Sequence, residues 1–163
     1  MREAVAEALV ERALLLTMPS GGESDPAPTI AILLDKPILA GLTNQALLVA
    51  VIALGRSVLT RWTRAFPEQD GPQLAVAAAE AWAVAPSPDG AQSAANAADL
   101  AIRQAIAVWH GPQQHAAWAG RTAAWVAMAP KYDWPAVAAL FGACQAIGAR
   151  QVVAVLASTL PEV

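Results

Sequence analysis

Two histidines, His110 and His115, one cysteine, Cys144, and a small set of carboxylates are the side chains here with the chemistry to bind a metal, move a proton or attack an electrophile. The two histidines straddle Gly111-Pro112, a helix-breaking pair, so they do not share one helix face as the two ligands of an H-E-x-x-H site do. A metal site would need a further ligand such as Asp99 or Asp133; the spacing instead favours surface or capping histidines and no metal. Cys144 lies within the apolar stripe of the last helical segment, which reads as an inert core thiol rather than a nucleophile. Glu68 and Asp70 share a turn that follows Arg61 and Arg64. An acid/base pair would need a cleft that shifts one of their pKa values, and a turn after a helix does not supply one. These four residues read as cations complementing a helix C-terminus and pairing with acidic turn residues, or as a patch that meets a partner. Glu80 and Asp99 read as solvated groups or salt-bridge members, Asp99 with Arg103 at i, i+4. The sequence contains no P-loop, no Gly-rich dinucleotide turn, no H-E-x-x-H and no G-x-S-x-G. No catalytic residue and no cofactor is expected.

Composition narrows the function classes further. The 163 residues are 56% hydrophobic and 14% charged, with net charge -3, against about 25% charged in an average domain. So apolar a chain collapses rather than staying disordered. Lys and Arg number 10 against 13 Asp and Glu, and Arg56, Arg61 and Arg64 lack interleaved exposed aromatics, which argues against nucleic acid. A single cysteine excludes an intrachain disulfide. The longest apolar run, from Ala46 to Gly55, falls short of the roughly 20 residues that span a bilayer. Glu3, Glu7 and Glu11 interrupt the N-terminal segment where an export signal would be apolar. A cytoplasmic protein is expected, with neither membrane nor nucleic acid among its partners.

These side chains must be positioned by helices, because helical period runs through the whole chain. The pattern predicts an N-terminal helix over 1–17, a Pro/Gly linker over 18–28, and a main bundle over 43–160, all within one domain. Thr29 to Leu34 is too short to assign to strand, helical turn or loop. Within the bundle the predicted helices run from Thr43 or Asn44 to about Phe66, from Pro72 to about Val84, from about Ala91 to Trp109, from Pro112 to about Ala129, and from an Asp133 cap onward through Leu156. The fold class expected is therefore all-α: an antiparallel bundle or array of about six helices, alanine-rich. About a quarter of the residues are alanine, so helices can approach closely, and Trp62, Trp82, Trp109, Trp118, Trp125 and Trp134 are expected to fill the core.

From Asn44 onward the order of motifs is more specific. An apolar helix ends in Arg61-Trp62-Thr63-Arg64-Ala65-Phe66. The turn Pro67-Glu68-Gln69-Asp70-Gly71-Pro72 follows, and then a helix containing Ala79-Glu80-Ala81-Trp82-Ala83. This resembles the immunity proteins of bacterial polymorphic toxin systems, of the fifth catalogued type, in which a Phe-x-x-x-x-Pro-x-x-x-Arg-Pro-like turn precedes an Ala-x-x-Trp helix. The resemblance covers roughly Asn44 to Ile147 and is carried by Phe66-Pro67, Asp70, Pro72 and Ala81-Trp82. Gly71 stands where the pattern has arginine, and Trp118 and Trp125 replace Ala-His-Ala steps. The resemblance implies an all-helical non-enzyme that binds and neutralises a cognate toxin domain. The residues proposed to meet that partner are Arg61, Arg64, Glu68, Asp70 and Trp82. The other class open to such a chain is a helical adaptor, scaffold or self-assembling module, with a homo-oligomer as its product. The shortage of charge predicts at least one apolar or acidic patch turned toward a partner.

Overall fold

The computed structural model describes residues 1–17 and 28–162. The predicted linker over 18–28 lies outside the described residues except for Pro28. The described chain is helical, with α1 at Arg2–Thr17, α2 at Ile30–Leu33, a 3-10 turn at Pro37–Leu39, α3 at Asn44–Ala65, α4 at Gly71–Val84, α5 at Pro88–Ala107, α6 at Gln114–Met128, α7 at Pro135–Ile147 and α8 at Ala149–Thr159. The all-α expectation holds, in a compact array with two more helical segments than the sequence pattern suggested.

Local chemistry accounts for the boundaries. Thr43 caps α3, its hydroxyl accepting the Ala46 N–H at 3.1 Å, as a β-region Thr at that position should. Thr29 does the same for α2 through the Ile32 N–H at 3.4 Å, so the ambiguous segment is a single helical turn. Helix α5 starts three residues earlier than expected: Ser87 accepts the Gly90 N–H at 2.9 Å and Pro88 occupies the first helical position, where its missing N–H costs nothing. Asp133 does not cap α7. The cap position is Trp134, and the Asp133 carbonyl instead accepts the Ile30 N–H at 3.2 Å, tying α2 to α7. The continuous last helix is also corrected. Gly148 sits at φ +88, in the left-handed region that breaks the hydrogen-bond ladder, and α8 leaves in a new direction to pack against α1 and α3.

Helices α4 to α7 form a series in which each packs on the next, and α3 lies against it, touching α4, α6, α7 and α8. Of the helices described, α3 alone is long and apolar enough to cross a bilayer, yet it is the central helix of the array and 56% of its most apolar window is buried by its neighbours. The α4–α5–α6 seam is made of alanine: Ala75, Ala94, Ala98, Ala101, Ala124 and Ala127 form one buried cluster. Where α3 meets α6 the small residue is Gly120, and Trp62 lies directly on it. The Trp62 ring is fully buried, and a Cβ added at Gly120 would stand 2.6 Å from Cζ3 of that ring. The indole N–H donates to the Gln69 carbonyl at 2.7 Å, and Phe66 packs on the ring at 4.7 Å between centroids.

The tryptophan-filled core is the expectation that needs most revision. Trp62 and Trp82 are buried. Trp109, Trp118, Trp125 and Trp134 are only half-buried, and the large side chains of the interior are mainly leucines and valines, among them Leu9, Leu47, Leu54, Leu140 and Leu156. Along the alanine seam of α4, α5 and α6 the buried side chains are all small, and no indole lies among them.

Two glycine replacements separate packing from backbone strain. Gly120→Ala forces the Trp62 ring to move and is expected to cost about 1–3 kcal/mol by overpacking. It should also shift Trp fluorescence, because the buried indole is displaced. Gly148→Ala meets no neighbouring atom and is expected to cost about 1–2 kcal/mol from left-handed backbone alone, with unchanged fluorescence. Urea unfolding monitored by circular dichroism and emission checks both.

Candidate functional site

The last turn of α3 carries Arg61 and Arg64 on adjacent positions of one helix side, since residues three apart are neighbours at about 5–6 Å between Cβ atoms. The helix ends because the chain turns into Phe66-Pro67, and that turn is held from inside by the Trp62–Gln69 bond. The Gly71 N–H donates to the Gln104 side-chain oxygen at 2.7 Å, fixing the start of α4 to the end of α5. A Cβ at Gly71 would collide with that Gln104 oxygen and sit 3.0 Å from the Ala101 nitrogen. Position 71 therefore requires glycine.

Opposite Arg61 and Arg64 lies the α5–α6 connection, 108–113. The Gln114 amide closes it by donating to the Trp109 carbonyl at 2.7 Å and the Gly111 carbonyl at 2.8 Å. Between the two walls are adjoining clefts that share Pro112 and Gln113. One, of about 270 Å³, is lined by Arg61, Arg64 and His115. The other, of about 340 Å³, is apolar and lined by Phe66, Ala107 and Val108. His115 Nδ1 lies 3.0 Å from the Gln145 carbonyl, which can only accept, so Nδ1 is the donor of this bond.

One helical turn beyond His115 begins an aromatic face. Trp118 meets Trp109 edge-on at 4.7 Å and Phe141 edge-on at 5.5 Å, and lies 6.4 Å from Trp125. The Arg121 guanidinium sits over Trp109 at 4.7 Å and over Trp125 at 5.3 Å. All four rings and Arg121 are half-buried. The sequence reading assigned these indoles to the core. The signal for a face was present in Trp118, Arg121 and Trp125 at i, i+3 and i+7, with the one charge of α6 between two rings.

The residues singled out in the sequence fall apart into different places. Arg61 and Arg64 line the basic cleft. Glu68 and Asp70 are exposed on the following turn and do not line it. Trp82 is 8% exposed and packs beside Gly90, about 16 Å along α4 from Gly71 at about 1.5 Å per residue. It is a packing residue and is not presented to a partner. The expected pairing of Arg61 and Arg64 with Glu68 and Asp70 does not form. Among the described residues the ion pairs are Arg2 with Glu162 at 3.2 Å and Arg56 with Glu80. The hydrogen bonds that Arg56 donates to the Glu80 carboxylate hold its guanidinium further up, so it stays a fixed charge. Arg103 Nε donates to the Asp99 carbonyl at 3.4 Å rather than to its carboxylate. No three His, Cys, Asp or Glu side chains converge among the described residues.

Cys144 is half-buried on α7, and burial pushes its thiol up to about 11. Only the thiolate is nucleophilic. The rate of iodoacetamide alkylation of the folded protein should therefore rise about tenfold per pH unit from pH 7 to 10, with no plateau near the pKa of about 8.5 of a free cysteine. A plateau below pH 9 would show an activated thiol instead.

Compared with family models, curated proteins and solved structures, the chain has no match.

Proposed function

We propose that this chain is a non-catalytic, cytoplasmic protein-binding domain that acts as an immunity protein, holding a cognate bacterial toxin inactive. The observation that carries the binding reading is the half-exposed face of Trp109, Trp118, Arg121, Trp125 and Phe141. Tryptophan and arginine are among the residues that contribute most at protein interfaces, tryptophan through a large contact area with few rotors and arginine through a planar fork of donors. Here the rings and the guanidinium already hold one another in place, so little entropy remains to be lost on binding. The toxin as partner follows from the resemblance over Asn44 to Ile147. Its quoted residues, Phe66, Pro67, Asp70, Pro72 and Trp82, build the α3–α4 turn and the packing of α4, so they support the shared framework and leave contact to the neighbouring surface.

Co-expression with the product of the adjacent gene tests the reading. Toxicity rescue together with co-purification is the expected result, and Trp109→Ala and Arg121→Ala should each weaken the complex by about 30-fold, the equivalent of the roughly 2 kcal/mol that marks an interface hot spot. Circular dichroism of both variants checks that the fold is retained. Co-purification without rescue would assign the chain to the adaptor class, and neither result would discard the immunity reading.

A further inference from the structure

We infer that the groove between α3 and the α5–α6 connection receives an acidic segment of the partner, with a carboxylate held by Arg61 and Arg64 and an adjacent apolar side chain in the chamber beside Phe66 and Val108. The inference rests on the reading of the chain as a protein-binding domain and names the chemistry of what it binds. Charge complementarity carries it. On a molecule of net charge -3, Arg61 and Arg64 are exposed and form no ion pair among the described residues, and both line one cleft with His115. Two guanidiniums three residues apart on a helix offer paired donors to a carboxylate, with shorter and stronger bonds than neutral donors make. Gln113 gives no side-chain cap to α6 at the same cleft, so its first N–H groups add to the positive end.

The sizes and walls of the two chambers select the kind of occupant. Volumes of about 270 and 340 Å³ lie at or below the lower end of the roughly 300–1,000 Å³ typical of small-molecule sites, and their open, adjoining arrangement suits two neighbouring side chains of a peptide. One chamber is basic and the other apolar, so an acidic residue beside a leucine or similar residue satisfies both. The walls are fixed in advance by the Gln114, His115 and Trp62 hydrogen bonds. A single-stranded nucleic acid would also seek cations, but it needs free aromatic faces on which bases stack. Arg121 already covers Trp109 and Trp125, and Trp118 is engaged edge-on by two rings.

The test is a titration of the full ¹⁵N-labelled chain with the acetylated, amidated peptide Leu-Glu-Glu-Leu, followed by two-dimensional NMR. Saturable shifts are expected at the Arg61 and Arg64 Nε–H groups and at the backbone amides of Phe66, Val108, Gln114 and His115. The Leu-Gln-Gln-Leu peptide should bind at least tenfold more weakly. The double variant Arg61→Glu, Arg64→Glu, both positions being exposed, should keep its circular dichroism spectrum and melting temperature while losing peptide binding at least tenfold. No shift with the acidic peptide would overturn the inference. So would equal binding of both peptides, shifts reproduced by inorganic phosphate alone without movement at Phe66 and Val108, or tighter binding of a dT oligomer. Because chain and probe suffice, this outcome is independent of toxin rescue. Rescue with a silent groove would remove the groove alone, and a binding groove without rescue would remove the toxin alone.

Discussion

The array depends on a single contact, the Trp62 indole packed directly against Gly120. A fully buried tryptophan removes roughly 150–250 Å² from water, a gain that is available only if the opposing helix has no side chain at the point of contact. Gly120 meets that condition, with Ala105 beside it. The same indole donates its N–H to Gln69, so the core contact also sets the turn by which α3 hands over to α4. Arg61 and Arg64 flank Trp62 in sequence and inherit their positions from it. The surface cleft is thus a direct extension of the most buried ring in the protein.

Small residues make a second, wider constraint. Gly55 faces Val126 and Val76, and Gly142 faces Thr122 and the Trp125 ring, so α6 is approached closely by α3 and α7 as well as through the alanine seam to α4 and α5. Helix α6 is consequently buried on most sides, and its one buried hydroxyl, Thr122, satisfies itself on the Trp118 carbonyl at 2.7 Å. An interior of this kind holds little area per residue and admits a large ring only where a glycine clears a place, as Gly120 does for Trp62. Trp118 and Trp125 are displaced to the helix edge, where with Trp109 and Phe141 they seal the α5–α6–α7 boundary from outside. Their partial exposure follows from how the interior is packed.

Much of the fold was legible because its signals are local. The 3.6-residue period of apolar side chains, the Thr43 cap and the prolines at 67, 86 and 112 mark helices and their ends without reference to the rest of the chain. What was not legible depends on distance or on backbone angle. Nothing in the apolar stripe from Val137 to Leu156 announces the left-handed conformation of Gly148, since the period continues across it. Ser87-Pro88 reads as a breaker or as a start, and only the Ser87 bond to Gly90 decides for a start. The Asp133 carbonyl is claimed by α2, which sits a hundred residues away in sequence. For the candidate site, Arg61 and Arg64 stand out in the sequence, but their separation from Glu68 and Asp70 follows from a turn held by a buried indole, and the burial of Trp82 follows from packing near Gly90 that no local pattern announces.

The tryptophans show most clearly why composition alone misleads here. An indole at regular helical spacing in an alanine-rich helix can lie inside or at an edge, and the period is the same in both cases. What separates them is the distance between axes. In a leucine-rich bundle, axes stand about 8–10 Å apart and rings fit between them; with alanine and glycine at the crossings that space closes, and Trp62 is admitted only because Gly120 clears a place for it. Trp109, Trp118 and Trp125 offset their exposure by packing against one another, Phe141 and Arg121. Mutual packing of that kind freezes the rings and leaves their outer edges facing solvent. An apolar ring surface beside cations that form no ion pair among the described residues arises here from the requirement that the helices sit close together.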